Sequence, residues 1–295
     1  MILNRQHSWE LHCHSHYSDG QLSCADLLSH AAERGVTDLA LTDHDTAAGY
    51  RDALTLGWVP AGMNLYPATE LSCVWLGRTI HVVGLGMDVH SKAWLAVEQD
   101  YIERRLTRFQ RICHLLEKAG FTLDVARIEA LAGPATPARP HIAQYLVESE
   151  QVKTTGHAYK RWLGQGKPGD VKQQWPELAE AVNTITAHGG MAVLAHPHRY
   201  SLTWTKCREL LDDFNEAGGV GVEVACVGMH PEKRKFLTNQ AQQRHMWVSG
   251  GSDFHSPKTS WLKLGAFPDW PRDVPLAKDW LQQRMNSISV STVSE

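Results

Sequence analysis

Short apolar runs alternate with amphipathic stretches along most of the chain. SWELH (8–12) reads as a strand, and Ser23 then caps a helix to about Arg34, with Asp26 at the capping-box position and Gly35 as its stop. TDLALTDH (37–44) predicts a short buried strand ending in a polar turn, followed by a helix to about Gly57. Residues 64–76 and 79–87 are two extended runs joined at Gly77-Arg78, a hairpin signal. From Ser91 to Ala119 the period changes to that of one long helix, with Gly120 as its stop. Shorter helices are expected at 123–131, 140–149 and 155–163, broken by GPATPARP (133–140) and GQGKPGD (164–170).

Alternation then resumes. A helix from Pro176 to Gly189 precedes the buried strand MAVLAH (191–196). Helices at 204–217, 231–243 and 276–286 then flank the strands GVEVA (221–225) and MWVSG (246–250). About seven strand–helix units predict a parallel α/β sheet or barrel. Residues 1–90 and 173–295 form that barrel in this reading, and 91–172 are a helical insertion that caps its mouth.

Composition narrows the class. The chain has 295 residues, 43% hydrophobic and 21% charged, and a net charge of −3, so no overall basic footprint points to nucleic acid. The insertion is the exception, because residues 92–172 hold 13 Lys and Arg against 9 Asp and Glu. Arg104, Arg105, Arg108 and Arg111 recur on its long helix, read here as a solvated charged face with Glu98, Asp100 and Glu103 as partners. Six scattered cysteines without a CxxC pair read as reduced thiols. With no apolar run of membrane-spanning length and no secretory apolar segment before the first strand, a cytoplasmic protein without membrane association is expected.

Histidine is the unusual residue, at 17 against 13 Tyr and Phe together. His12 and His14 are two apart on strand one and therefore share a face, with Cys13 turned the other way. Asp19 follows in the turn, His44 ends the second strand, and Glu70 and His81 lie on the hairpin runs. His196 ends MAVLAH, and Asp253 and His255 follow MWVSG. Loops at the carboxyl ends of parallel strands converge on one rim, where barrel enzymes place their chemistry. Nine groups exceed what one ion of four to six ligands needs, and Glu70 is placed to bridge two ions. Nitrogen and oxygen donors without thiolate suit Mn²⁺, Fe²⁺ or Zn²⁺. Eight of the other histidines (His7, His30, His90, His114, His157, His188, His230 and His245) read as solvated or packing residues.

The segments ELHCHSHYSDG (10–20), LTDHDT (41–46), ATELS (68–72), IHVVGLG (80–86), LAHPHRY (194–200) and GSDFH (251–255) resemble the ordered motifs of the PHP (polymerase and histidinol phosphatase) phosphoesterases. ARPHIAQYLV (138–147) and GKPG (166–169) are similar to the subgroup of ribonuclease AM-type 5′-3′ exoribonucleases and nucleoside 3′,5′-bisphosphate phosphatases. The resemblance implies a distorted (β/α)7 barrel with three divalent ions, Mn²⁺ first and Fe²⁺ or Zn²⁺ next. His12, His14, Glu70 and Asp253 would surround one ion, Glu70, His81 and His196 a second, and Asp19, His44 and His255 a third. Glu70, His196, Asp253 and His255 would be catalytic. Three positions depart from the pattern: Glu10 for the usual Asp, His198 for a Gly, and Asp170 where an aromatic is common.

The implied reaction is metal-assisted hydrolysis of a phosphate ester, with no covalent nucleophile. Its substrates would be 5′-phosphorylated single-stranded RNA ends and nucleoside 3′,5′-bisphosphates, without an obligate protein partner. Arg199 and Arg139 are candidates for clamping phosphates, with Lys167, His141 and His198 behind them. Competing readings are a small-molecule phosphatase such as a histidinol phosphatase, a C–N-cleaving barrel hydrolase, and a non-catalytic nucleic-acid-binding PHP domain.

Overall fold

The computed structural model describes residues 8–172 and 175–291, with backbone only from 288. His7 and the first residues of the expected barrel segment lie outside the described residues, as do positions 173 and 174 and the last four residues.

The first layer is β1 (Ser8–Cys13), α1 (Cys24–Glu33), β2 (Val36–Leu41), α2 (Ala48–Thr55) and β3 (Asn64–Tyr66), with the three strands parallel in the order β1-β2-β3. The Ser23 hydroxyl accepts from the Asp26 amide, the expected cap. After Pro67 the chain continues as β4 (Ala68–Trp75), turns at Leu76-Gly77, and returns as β5 (Arg78–Leu85), antiparallel to β4. β6 (Met191–Leu194) is antiparallel to β5, while β7 (Gly221–Cys226) and β8 (Trp247–Gly251) run parallel to β6.

The two sheets join at both edges. His14 donates to the Phe254 carbonyl at 2.9 Å and Asp253 to that of His12 at 2.8 Å, so β8 meets β1. At the other edge, Glu70 donates to Asp43 at 3.1 Å and Asp45 to Glu70 at 3.0 Å. With β3 and β4 as one bent stave, seven staves close a distorted barrel in which β5 alone runs backwards. Closure needs a small residue where β8 crosses β1, because a Cβ on Gly251 would lie 2.6 Å from the His12 nitrogen.

Helices α7 (Leu178–Ala187), α8 (Trp204–Glu216) and α9 (Pro231–Gln243) pack with α1 on the outer strand face, over Leu39, Leu71, Val82, Leu194, Val222 and Val248. The inner face is apolar at one end only. Trp9, Tyr66, Val83, Leu85 and Val193 fill it, and Ala277 and Leu281 of α10 (Ala277–Ser291) close it. At the other end the inward positions are charged.

Between β5 and α7 lie α3 (Lys92–Lys118), α4 (Val125–Ala132), α5 (Arg139–Glu148), and α6 (Thr155–Ala158), which continues as a π-turn over Tyr159–Leu163. They bury their own apolar cluster of Phe109, Ile112, Leu116, Ile128, Ile142, Leu146 and Leu163. Burial of each such side chain contributes about 1.5–3 kcal/mol. α3 belongs to both bodies, because Trp94 and Tyr101 pack into the barrel's outer cluster.

Candidate metal centre and its cavity

Strand alternation aims the donors. Leu71, Ile80, Val82, Val222 and Val224 face the outer helices, which turns Glu70, His81 and Glu223 inward. His12 and His14 leave the end of β1, and His44, His196, Asp253 and His255 sit just beyond β2, β6 and β8. His196 and Asp253 have left-handed backbones, with φ of 31° and 52°. Such strain costs of order 1–3 kcal/mol per residue and persists only where the surroundings over-determine it. Asp19 arrives by a tight turn whose Gly20 is obligatory, because a Cβ there would lie 2.2 Å from the His14 carbonyl oxygen.

All nine residues expected from the sequence converge at this end of the barrel, in overlapping clusters. His12 Nε2 is 3.1 Å from His14 Nε2, 3.3 Å from Glu70 Oε2 and 3.5 Å from Asp253 Oδ1. His14 Nε2 is 3.2 Å from each of the same two carboxylate oxygens. The other Glu70 oxygen lies 3.1 Å from His81 Nδ1 and 2.8 Å from His196 Nε2. Asp19 Oδ1 is 3.2 Å from His255 Nε2, 3.8 Å from His44 Nε2 and 4.0 Å from His14 Nδ1. The grouping is less partitioned than the sequence suggests. His14 uses its second nitrogen on the Asp19 cluster, and His44 Nδ1 also sits 3.1 Å from Glu70 Oε2.

This donor set fits divalent cations. Donors at about 2.0–2.2 Å around one ion lie roughly 3.1–3.6 Å from each other, and the contacts around Glu70 Oε2 and Asp253 Oδ1, at 3.1–3.5 Å, have that spacing, while His44 and His14 stand farther from Asp19. Glu70 Oε2, Asp19 Oδ1, His44 Nδ1 and His14 Nδ1 are buried without a hydrogen bond, so polar atoms with no partner of their own converge here. Electrostatics agree. Burial raises the Glu70 pKa, but His12, His44 and His81 outweigh it and hold the carboxyl well below its usual range. Against the same burial, Asp19 and Asp253 push His255 up to about 10.

Glu223 is the site residue that sequence reasoning missed. It is 1% exposed, accepts from the His196 amide at 2.6 Å and lies 2.6 Å from His12 Nδ1, so it orients one imidazole and one strand end. The available signal was a lone acid in an apolar strand. Glu10 holds the His12, Ser252 and Gly265 amides, fastening β1 to β8. Asp43 accepts from the Ser15 amide and the Ser15 and Ser18 hydroxyls, fixing the turn that carries Asp19.

A 220 Å³ cavity opens over Asp19, His44 and His81, and its other wall is helical, with Arg105 and Arg108 of α3 and Arg139 of α5. The long basic helix is therefore not simply a solvated face. Arg104 pairs outward with Asp100, but Arg105 donates from Nε to Asp45 at 2.7 Å and Arg108 turns into the cavity. The phosphate candidates divide. Arg139 lines the cavity, whereas Arg199 is engaged by Asp253. His141 accepts from the Ala138 amide at 3.0 Å and so caps α5. Lys167 is exposed outside the cavity, and His198 lines a separate surface groove, where burial pushes its imidazole down to about 4.

Residues 10–71 match the PHP domain family. A Haemophilus influenzae protein named 5′-3′ exoribonuclease is 42% identical over 258 residues, covering 87% of this chain and 93% of that protein. A Chromobacterium violaceum protein named 3′,5′-nucleoside bisphosphate phosphatase is 38% identical over 266 residues, 89% of this chain and 92% of the relative. A solved structure described as an amidohydrolase from Chromobacterium violaceum, with bound sulfate and no metal, superposes with a TM-score of 0.85 at 34% identity, covering 94% and 96% of the two chains.

Proposed function

The chain belongs to the PHP domain family of phosphoester hydrolases, and from that premise we propose that it removes nucleotides from 5′-phosphorylated RNA ends and phosphate from nucleoside 3′,5′-bisphosphates. The observation that carries this reading is the convergence of nine nitrogen and oxygen donors beside a cavity walled by arginines.

His12, His14, Glu70 and Asp253 would hold one ion, Glu70, His81 and His196 a second, and Asp19, His44 and His255, with His14 Nδ1 adjacent, a third. Manganese suits such a thiolate-free set, with iron or zinc as substitutes. Bound there, divalent ions supply positive charge for the phosphoryl oxygens and acidify water. The chain's own groups do the positioning. Glu70 presents one oxygen to each of two donor clusters, Glu223 fixes the His12 ring, and Arg199 holds Asp253 from outside. Glu70, His196, Asp253 and His255 are the proposed catalytic residues. Arg105 plays a different part, because it ties α3 to Asp45, the neighbour of His44, and so links the helical wall to the donors.

In this reading residues 91–172 act as a cap over the barrel formed by 1–90 and 173–295. The six cysteines, all buried and unpaired, suit a reducing cytoplasm. Among the described residues no helix is long and apolar enough to cross a membrane.

The test is an assay in Mn²⁺ with a 5′-monophosphorylated RNA 12-mer and adenosine 3′,5′-bisphosphate, using Glu70→Gln as the blank. Stepwise release of mononucleotides together with phosphate release from the bisphosphate is expected. Phosphate release alone restricts the protein to small bisphosphates, and turnover of neither substrate overturns the reading.

A further inference from the structure

The metal centre leaves His198 without a part. Its Nδ1 is buried without a hydrogen-bond partner, and the residue lines a surface groove apart from the arginine-walled cavity. That groove is built from the segments after β6 and β7, with Trp204 at the start of α8 and Lys233 in the first turn of α9. The segment after β8 joins them, because the Trp261 ring lies 4.0 Å from where a Cβ on Gly228 would stand. The strand ends that deliver His196, Asp253 and His255 therefore deliver this groove as well. The cavity meets Asp19, His44 and His81 instead, and none of the residues after β6, β7 or β8 lines it. The two occupy different sectors of the rim, with the donors between them.

Exposed indole is concentrated at this groove. The chain has 11 tryptophans, and among the described residues only Trp204 and Trp261 are exposed, at 44% and 63%. Trp204 is held in place. Its ring centroid is 4.5 Å from that of Phe236, and Lys233 Nζ stands 4.6 Å from the ring. Exposed Lys258 and Lys263 flank Trp261 in the chain, against Glu232 as the acid lining the groove. A fixed aromatic face beside ammonium groups suits a ligand that repeats a flat ring and a negative charge, which is the chemistry of a single-stranded nucleic acid. An apolar protein segment would cover the rings and leave the ammonium groups without a counter-charge.

We infer that this groove binds single-stranded RNA on the 3′ side of the bond being broken, with bases stacked on Trp204 and Trp261. The inference deepens the proposed function and rests on it. A nucleoside bisphosphate ends at the metal centre, whereas an RNA continues beyond it. The rim after β6, β7 and β8 is where that continuation meets aromatic rings. The groove thus adds affinity for a strand and none for a bisphosphate. Stacking also accepts every base, since each has a π-face, as stepwise removal of nucleotides from any sequence requires.

Two measurements test the assignment, both on Trp204→Ala/Trp261→Ala, which removes the two rings. The first is kcat/KM in Mn²⁺ for a 5′-monophosphorylated RNA 12-mer relative to adenosine 3′,5′-bisphosphate. This ratio should fall about fivefold or more, through KM, because a single stacked base is worth at least that. The second is fluorescence anisotropy in EDTA with a labelled 5′-hydroxyl RNA 12-mer. Here the double variant should bind about fivefold or more weakly than the wild type. Trp204→Tyr/Trp261→Tyr controls for packing lost on Phe236 and should bind within about threefold of the wild type, since it keeps a ring at each place.

A wild type that binds no RNA, or a tyrosine variant as weak as the alanine one, overturns the assignment. Equal binding by the wild type and the alanine variant also overturns it, and leaves the rings to a protein partner. Should RNA binding need the rings while the Mn²⁺-loaded wild type hydrolyses neither substrate, the reaction falls and the RNA surface stands. Turnover of both substrates at an unaltered ratio gives the reverse: the reaction stands and the surface falls.

Discussion

At the scale of single residues, the centre is a set of side chains that make sense only together. Glu70 is wholly buried yet ionised, because His12, His44 and His81 surround it. Glu70→Gln and His44→Ala should abolish phosphoester turnover while the circular-dichroism melt stays nearly intact; turnover retained by either variant would remove the residue from the metal set. Glu223 tests the layer behind. Glu223→Gln should weaken Mn²⁺ binding by about 10–100-fold, the usual cost of losing a carboxylate behind a ligating histidine. Titration of the metal-free protein reads this directly, and unchanged affinity would make the His12–Glu223 contact a packing detail. Arg199 stands at the edge of this set, with its guanidinium on Asp253, itself one of the nine donors.

Secondary-structure elements set the directions in which these residues point. Strand alternation put one apolar set under the helices and left the opposite set for chemistry, so Glu70, His81 and Glu223 share one interior. The reversed strand β5 follows from the tight Leu76-Gly77 turn, and it brings His81 level with Ser72, one pleat from Glu70. In the helical segment, His141 illustrates a local role. It accepts from the Ala138 amide as a helix cap, so His141→Ala should cost about 1 kcal/mol and lower Tm by roughly 2–4 °C. The ratio of kcat/KM between RNA and bisphosphate should not move. A selective loss on one substrate would return His141 to the recognition set. Arg104 and Arg105, adjacent in sequence, part ways because one side of α3 meets water and the other meets Asp45.

For the molecule as a whole, the barrel rim and the helical wall enclose one cavity between a carboxylate- and histidine-rich floor and an arginine-rich roof. Donors from several strands meet at the centre, so cations bound there should lock strand ends that otherwise rely on edge hydrogen bonds. Chelation should lower Tm, and adding Mn²⁺ to 100 times its Kd should restore about 2.7 kcal/mol. A Tm indifferent to chelator would mean that no cation links these strands. The sequence alone carried the element order, the change of period at Ser91 and the membership of the nine-residue donor set. Those depend on local periodicity, and on the rule that parallel strands deliver their ends to one rim. Only the tertiary structure decided which donors share a partner, that Glu223 stands behind His12, and that Arg105 and Arg108 turn inward while Arg199 is taken. Glu223 and His12 are 211 positions apart, and the Arg105–Asp45 pair spans 60. No local pattern encodes such distances, because the choice between water and an ion pair is made when the chain closes on itself.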